Sequence, residues 1–288
     1  MKILVTGATG TVGSAVVAAL VQGGAEVRAV ARKPPAAGRL PAGVEFMVAD
    51  LLDPVAVERA LDGVDKMFLL NVVSPDELTQ ALIAYGLAKR HGLNHVTYLS
   101  VFAVDRFSDV PHFASKLAVE RALQAFDVPF TILRPGYYFQ NDLRLRPVLT
   151  GAGIYPMPLG REGIAAVDTR DIAEAAAITL TQPGHEGRTY SLASPAPLSG
   201  PGAAAIWGRA LGKPVQYHGE NFDAWEVQMR ANVPAWSAYD LRVMFQGYLE
   251  RGFAPRAADA EIFQKLLGHA PRSYEDLVAE AVTAWQSA

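Results

Sequence analysis

The sequence predicts an α/β fold in which a doubly wound parallel sheet is covered by helices on both faces, with a smaller, mostly helical C-terminal lobe. Three observations predict it. Short apolar runs alternate with longer amphipathic runs over the first half of the chain. The short runs are apolar at successive positions, which is typical of parallel strands buried on both faces. A glycine-rich segment, TGATGTVG at 6–13, directly follows the first apolar run.

The predicted elements alternate in order along the chain. Strands are predicted over 3–6, 26–32, 44–50, 66–71, 95–100, 129–135 and 187–194. Helices are predicted over 14–24, 53–61, 77–92, 114–126 and 168–180. The glycines at 23–24 predict the end of the first helix, because glycine is favoured just past a helix C-terminus. Asp53 before Pro54, and Asp168, predict helix starts, since Asp is favoured at the N-cap and Pro at the first helical position.

The last third of the chain predicts a second, smaller lobe. Helices are predicted there over 203–212, 224–233, 237–252, 260–268 and 274–285. The expected organisation is a dinucleotide-binding domain over 1–150, rejoined by 164–194, and a substrate lobe over 195–288, to which 136–163 contributes. We expect the lobe to lie over the carboxyl edge of the sheet.

Composition argues against several classes of function. The chain has no cysteine, which excludes disulfides, thiolate metal ligands and cysteine nucleophiles. Its net charge of −3 and the lack of a basic stripe argue against nucleic-acid binding. No apolar run approaches the roughly 20 residues that span a bilayer. No metal-ligand spacing and no G-x-S-x-G elbow is present. We expect a cytoplasmic monomer or homodimer that acts on a small molecule and binds no membrane.

The glycine-rich turn predicts a dinucleotide site. Between a strand and a helix, glycines let the backbone approach a pyrophosphate, and the helix N-terminus offers free N–H groups to it. We assign the tight turn to Gly7, the close approach of the cofactor to Gly10, and close packing of helix on strand to Gly13. Three further residues of the turn are candidates for cofactor contact: Thr9, Thr11 and Val12. The alternative is a purely structural turn, because the spacing differs from the usual G-x-G-x-x-G.

Two cations favour NADP(H) as the cofactor. The second strand ends in Arg32 and Lys33, where NAD-specific sites place an acid that binds the ribose 2′-hydroxyl. A guanidinium can clamp a 2′-phosphate that a carboxylate would repel. The alternative is a pair of solvated surface cations. Asp50 is a candidate for the adenine edge or a turn residue, and Leu51 and Asn71 are further candidates for cofactor contact.

Five motifs follow one another in order along the chain. They are TGATGTVG at 6–13, ARK at 31–33, Ser100 together with HFASK at 112–116, TILRPGYYFQN at 131–141, and TRDIA at 169–173. With these motifs the chain resembles the NmrA-like branch of the atypical short-chain dehydrogenases/reductases. The resemblance implies a Rossmann domain with a smaller C-terminal substrate lobe. It also implies relatives that are NADPH-dependent quinone, azo-dye and phenylpropanoid reductases, or regulators that bind NADP without turnover.

The resemblance implies a catalytic Ser, Tyr and Lys, with Tyr and Lys four residues apart on one helical face. Lys116 stands at the position of the Lys, which holds the nicotinamide ribose, and Ser100 at that of the Ser. His112 stands at the tyrosine position, and it can donate a proton near neutral pH. This departure argues against ordinary alcohol–ketone chemistry. We expect Pro111 to place His112 ahead of the helix, and the alternative for His112 is a solvated residue.

The end of the sixth predicted strand supplies further candidates. The resemblance implies that Pro135 and Gly136 border the nicotinamide, with Tyr137 and Phe139 nearby. A flat apolar wall against the substrate is predicted from Tyr138, Trp225 and Trp236. The alternative for each of these three side chains is ordinary packing in the lobe.

The predicted function is NADPH-dependent transfer of a hydride to a small conjugated acceptor, such as a quinone, an azo compound or an enal. A quinone accepts hydride to form a stabilised phenolate, so the missing tyrosine matters less for such a substrate. A second hypothesis is a non-catalytic NADP(H)-sensing regulator. A third, a nucleotide-sugar epimerase or dehydratase, is disfavoured because those enzymes resemble the branch that keeps the Tyr-x-x-x-Lys pair.

Overall fold

Parallel strands form the centre of the molecule. The computed structural model describes residues 1–125 and 128–287. Its strands are β1 (Lys2–Val5), β2 (Glu26–Ala31), β3 (Glu45–Val48), β4 (Lys66–Leu69), β5 (His95–Leu99), β6 (Phe130–Pro135), β7 (Tyr137–Tyr138), β8 (Ile154–Tyr155), β9 (Ala166–Val167), β10 (Arg188–Leu192) and β11 (Gln216–Tyr217). Its helices are α1 (Thr11–Gln22), α2 (Pro54–Leu61), α3 (Glu77–Arg90), α4 (Pro111–Ala125), α5 (Arg146–Thr150), α6 (Thr169–Thr181), α7 (Gly200–Leu211), α8 (Phe222–Arg230), α9 (Ala235–Arg251), α10 (Ala257–Leu267) and α11 (Tyr274–Gln286).

The main sheet has seven parallel strands in the order β10-β6-β5-β4-β1-β2-β3. Strands β2 and β3 are therefore added on one side of β1, and the later strands on its other side, so the strand order reverses between β1 and β4. In open α/β sheets, ligands bind beyond the carboxyl ends of the strands at such a switch point. The predicted fold class is confirmed.

Two apolar layers cover the two faces of this sheet. On one face, α1 packs over β1 and α6 over β4, β5 and β6, with Val16, Val17 and Ile172 all fully buried. On the other face, α2, α3 and α4 contribute residues such as Val57 and Ala84. Because both faces are covered, strands such as β1 and β4 are buried and apolar at successive positions, which is the pattern that predicted them.

Two helices begin at the aspartates that the sequence predicts as N-caps. The Asp53 carboxylate caps α2 by accepting hydrogen bonds from the Val55 and Ala56 amides, at 3.0 and 3.3 Å. The Asp168 carboxylate caps α6 in the same way at the Arg170 amide, at 2.8 Å. Both predicted N-caps are present.

Two helices begin earlier than the sequence indicates. Helix α1 starts at Thr11, so the third glycine of the turn is helical. The prediction that Pro111 places His112 ahead of its helix is wrong, because α4 begins at Pro111 itself. Proline fits the first helical position, and the Asp240 carboxylate accepts a hydrogen bond from the His112 amide at 3.0 Å. The predicted end of this helix at Phe126 lies outside the described residues.

Helices α5, α7, α8, α9 and α11 pack around an aromatic core beside the carboxyl end of β6. Phe107 makes edge contacts with Tyr248 and Phe253, with ring centroids 5.4 and 5.5 Å apart. Helix α10 packs against α6 and β10, and its Phe263 joins the apolar layer beneath α1. None of the helices in residues 1–125 and 128–287 is long and apolar enough to cross a membrane.

A buried carboxylate ties the aromatic core to the segment after β6. Asp142 accepts hydrogen bonds from the hydroxyls of Tyr137 at 2.5 Å, Tyr155 at 2.7 Å, and Tyr274. Burial raises the pKa of Asp142 to about 6, although the three phenol donors act in the opposite direction. The carboxyl therefore binds its proton more tightly in the folded chain than in the unfolded one.

We expect Asp142 to weaken the fold as the pH rises from about 4 to about 6. Over this range the folded chain retains a proton that the unfolded chain, with an ordinary pKa of 3.8, has released. The free energy of unfolding therefore falls with pH, by about 3 kcal/mol for a difference of this size. Urea unfolding of the native chain and Asp142→Asn, measured at several pH values, isolates this contribution. An identical pH dependence in the two proteins would contradict it.

Candidate active site

The glycine-rich turn connects β1 to α1 at the switch point. Gly7 has a φ of +62°, a left-handed conformation that favours glycine. A Cβ on Gly13 would lie 2.2 Å from the Gly7 carbonyl oxygen, so helix and turn are in direct backbone contact. Gly10 caps α1 without a side chain, which leaves the first N–H groups of the helix for a ligand.

A cleft of about 510 Å³ opens above this turn. Its lining comes from the turn and from the segments that follow β2, β3 and β4: Gly7, Thr9, Gly10, Val30, Ala31, Arg32, Lys33, Ala49, Leu51, Leu70, Val72, Ser74 and Gln80. The structure thus brings together six of the predicted cofactor residues. Asp50 is not among them: it is exposed, and its carboxylate accepts a hydrogen bond from the Leu52 amide at 3.0 Å, as a turn residue does. Val12 is buried behind the turn.

Arg32 and Lys33 lie at one end of the cleft, and both are exposed. Neither forms an ion pair within the described parts of the chain. The Ser74 hydroxyl, hydrogen bonded to Asp76, lowers the pKa of that carboxyl, and the positive charge of Arg32 is a smaller cause of the same shift. Cations without an internal partner in a cleft are suited to an anionic ligand.

The amide of Asn71 is buried without a hydrogen-bond partner. Asn71 is 3% exposed, and neither its Nδ2 nor its Oδ1 atom is hydrogen bonded in the structure. Just before it, the Leu70 amide donates to the Thr6 hydroxyl at 2.8 Å, which ties the ends of β1 and β4 together. An unpaired buried polar group costs about 1–3 kcal/mol, so a ligand that pairs with Asn71 would recover that cost. Together with the glycine turn and the two cations, this amide fits a dinucleotide with a 2′-phosphate.

Lys116 is held by a carboxylate that the sequence analysis missed. Its Nζ atom donates to Glu77 Oε1 at 2.7 Å, and both side chains are buried. The second oxygen, Glu77 Oε2, has no partner. Glu77 could have been found from its spacing, because it shares the buried face of α3 with Gln80, Ala81 and Ala84.

Ser100 is engaged in a second buried network. Its hydroxyl donates to Glu120 Oε1 at 2.5 Å, and Arg134 donates to both oxygens of Glu120, at 3.0 and 2.6 Å. A hydroxyl has one hydrogen to donate. In this arrangement Ser100 can accept a hydrogen bond from a ligand but not donate one.

His112 lies in the first turn of α4 and is largely buried rather than solvated. Its ring nitrogen Nδ1 is 2.5 Å from Asp240 Oδ2, and the His112 and Asp240 side chains are 10% and 1% exposed. Asp240 belongs to α9, so this contact joins the sheet domain to the C-terminal helices. Nothing in the local sequence around His112 points to this partner.

The residues at the end of β6 and just after it pack inside the protein and do not line the cleft. A Cβ on Gly136 would lie 2.4 Å from the Ala165 carbonyl oxygen. Tyr137 donates to Asp142, and the Phe139 ring packs edge-on against Tyr274 with centroids 5.2 Å apart. Pro135 is buried at the end of β6. None of these four predicted residues lines the cleft described above.

The three candidates for a substrate wall have different surroundings. Trp225 is buried against Phe245, with ring centroids 5.5 Å apart, which is the packing alternative. Trp236 is 40% exposed at the start of α9. Tyr138 is half-buried.

Within the described residues, no group of His, Asp and Glu side chains is arranged to hold a metal ion.

The fold and the cleft define a Rossmann-type dinucleotide-binding protein. The chain belongs to the NmrA-like family, whose family model matches residues 1–254. It is 32% identical to a (4-alkanoyl-5-oxo-2,5-dihydrofuran-3-yl)methyl phosphate reductase of Streptomyces griseus, over 98% of this chain and 99% of that one. It is 34% identical to an NAD(P)H azoreductase of Xenophilus azovorans, over 75% and 76%. The structure of the NADPH-dependent quinone oxidoreductase QOR2 of Escherichia coli with NADPH matches with a TM-score of 0.85 and 27% identity, over 99% of each chain. The predicted family is confirmed.

Proposed function

We propose that the protein is an NADPH-dependent reductase that transfers a hydride to a small conjugated acceptor. The predicted enzyme class, an NAD(P)H-dependent reductase, and the predicted cofactor, NADP(H), are confirmed by the named relatives. A conjugated acceptor is the narrower proposal. It is supported by His112 at the position of the family's tyrosine, which suits acceptors that form a stabilised anion.

The observation that carries the proposal is the unpartnered amide of Asn71 beside the glycine turn. We assign the cofactor's pyrophosphate to the turn at Gly7 and Gly10, its 2′-phosphate to Arg32, and its nicotinamide end to Asn71 and Lys116. When bound, NADPH supplies the hydride. The protein supplies orientation and exclusion of water, which are the main requirements for hydride transfer to such an acceptor.

Three side chains have separate roles in this proposal. Lys116 is oriented by Glu77 and by the Leu99 carbonyl oxygen, which leaves one N–H of its ammonium group for a ribose hydroxyl. Ser100 accepts hydrogen bonds only, because its proton is donated to Glu120. His112 is therefore the proton donor to the reduced acceptor.

The test is loss of NADPH absorbance with a panel of quinones, azo dyes and enals, in the native protein and in Arg32→Ala. We expect turnover in both, with the KM for NADPH raised about 10-fold or more in the variant, because a charge-assisted hydrogen bond contributes about 1.5–3 kcal/mol. The KM for NADH should be unchanged. Arg39→Ala, an exposed arginine outside the cleft, is the matched control.

Two results would contradict the proposal. Tight NADPH binding with no turnover of any acceptor would overturn the reductase and favour the cofactor-sensing regulator. An unchanged KM for NADPH in Arg32→Ala would overturn the assignment of the 2′-phosphate.

A further inference from the structure

We propose that Asp240 is the positioning residue for His112, and that this pair delivers the proton that accompanies hydride transfer. The inference rests on the proposed function, because it concerns the second half of the same reduction. Asp240 lies on α9 and His112 on α4, so the proton donor is assembled only when the C-terminal helices are packed on the sheet domain.

The two oxygens of Asp240 bind two atoms of the same residue. Oδ1 accepts from the His112 amide at 3.0 Å, and Oδ2 lies 2.5 Å from the ring Nδ1. A carboxylate only accepts hydrogen bonds, so Nδ1 carries a hydrogen and the ring orientation is fixed. Nε2 has no partner within the described residues and is the atom left for a ligand. Donation from Nε2 requires that this nitrogen also carries a hydrogen, as both ring nitrogens do in the imidazolium.

His112 lies on the same helix, α4, as Lys116, which is paired with Glu77. His112 and Lys116 are four residues apart on one face of the helix. Burial raises the pKa of the Tyr138 phenol, and the Glu77 carboxylate raises it further. Burial likewise raises the pKa of Tyr248, with Asp240 and Tyr138 adding to the shift. Tyr138 therefore lies within electrostatic range of Glu77, and Tyr248 within range of Asp240.

The proton balance of the step is simple. Hydride addition to a neutral conjugated acceptor breaks its π bond and leaves an electron pair on its oxygen or nitrogen. The Nε2–H bond of His112 breaks, and an O–H or N–H bond forms on the acceptor. His112 is left neutral, still donating from Nδ1 to Asp240, and it takes up a proton from water.

The experiment compares acceptors that do and do not need this proton. A neutral enal or azo compound needs a hydride and a proton, whereas a cationic triarylmethane dye needs the hydride alone. The neutral acceptor used is the one, enal or azo compound, that the native protein reduces faster. In Asp240→Asn we expect its turnover to fall about 100-fold, because a general acid contributes about 10²–10⁴-fold. Dye reduction should change less than about 3-fold. Glu250→Gln, an exposed acid on the same helix, is the matched control.

A structural role for Asp240 predicts a different result, since its Oδ1 also caps α4. Equal losses with both kinds of acceptor, or no loss with either, would overturn the positioning role. His112→Ala supplies a second readout that needs no dye: free imidazole should partly restore turnover of the neutral acceptor, and no restoration would overturn the role of His112. If the native protein reduced neither kind of acceptor, the proposed function itself would fail, and this inference with it.

Discussion

Replacement of Glu77 by Gln is expected to destabilise the protein by about 3–5 kcal/mol, because it leaves the charge of Lys116 buried without a partner. The two side chains are 0% and 8% exposed and 2.7 Å apart. The Lys116 Nζ also donates to the Leu99 carbonyl oxygen at 3.5 Å and lies 5.8 Å from the centre of the Tyr98 ring, and neither group carries a negative charge. Neither neighbour can therefore replace the charge of the lost carboxylate.

We expect the loss of stability in Glu77→Gln to come from the unpaired charge of Lys116 and not from removal of the Glu77 carboxylate as such. In the double variant Glu77→Gln/Lys116→Met no buried charge remains, and we expect it to be more stable than Glu77→Gln. Urea unfolding of both single variants and the double variant measures the coupling. Glu220→Gln breaks the exposed pair with Arg161 and should cost about 1 kcal/mol or less. Simple additivity of the two buried substitutions would contradict the prediction.

Replacement of Gly13 by Ala is expected to destabilise the chain by about 3 kcal/mol and to weaken NADPH binding. The added methyl would lie 2.2 Å from the Gly7 carbonyl oxygen and 2.9 Å from Ala8 Cα, so the turn itself has to move. Overpacking of this kind costs about 1–3 kcal/mol, and here the obstructing atoms are backbone. Urea unfolding and titration with NADPH measure the two effects.

The matched control for this variant is Gly86→Ala. Gly86 is also helical, on α3, but an added Cβ there would meet no atom within 4 Å. We expect this variant to be more stable by about 0.5–1 kcal/mol, because alanine favours a helix and restricts the unfolded chain. If the two alanine variants behaved alike, close packing of α1 on the turn would not be the reason for Gly13.

The sequence predicted the sheet and the position of the glycine turn well. Strands β1 and β4 are apolar at three successive positions because helices cover both faces of the sheet, and that pattern is visible without a structure. Asp53 and Asp168 were identified as caps because a cap acts within three residues of itself. The start of α4 was misjudged because its cap, Asp240, is 128 residues away.

What the sequence by itself determined is the local chemistry: the glycine turn after β1, the cations after β2, and a lysine and a histidine four residues apart on α4. What only the tertiary structure decided is the partner of each reactive side chain. Glu77 pairs with Lys116 across 39 residues, and Asp240 pairs with His112 across 128. The physical reason is that periodicity and caps act over a few residues, whereas a buried polar group takes its partner from whichever segment the packing of helices and sheet brings against it.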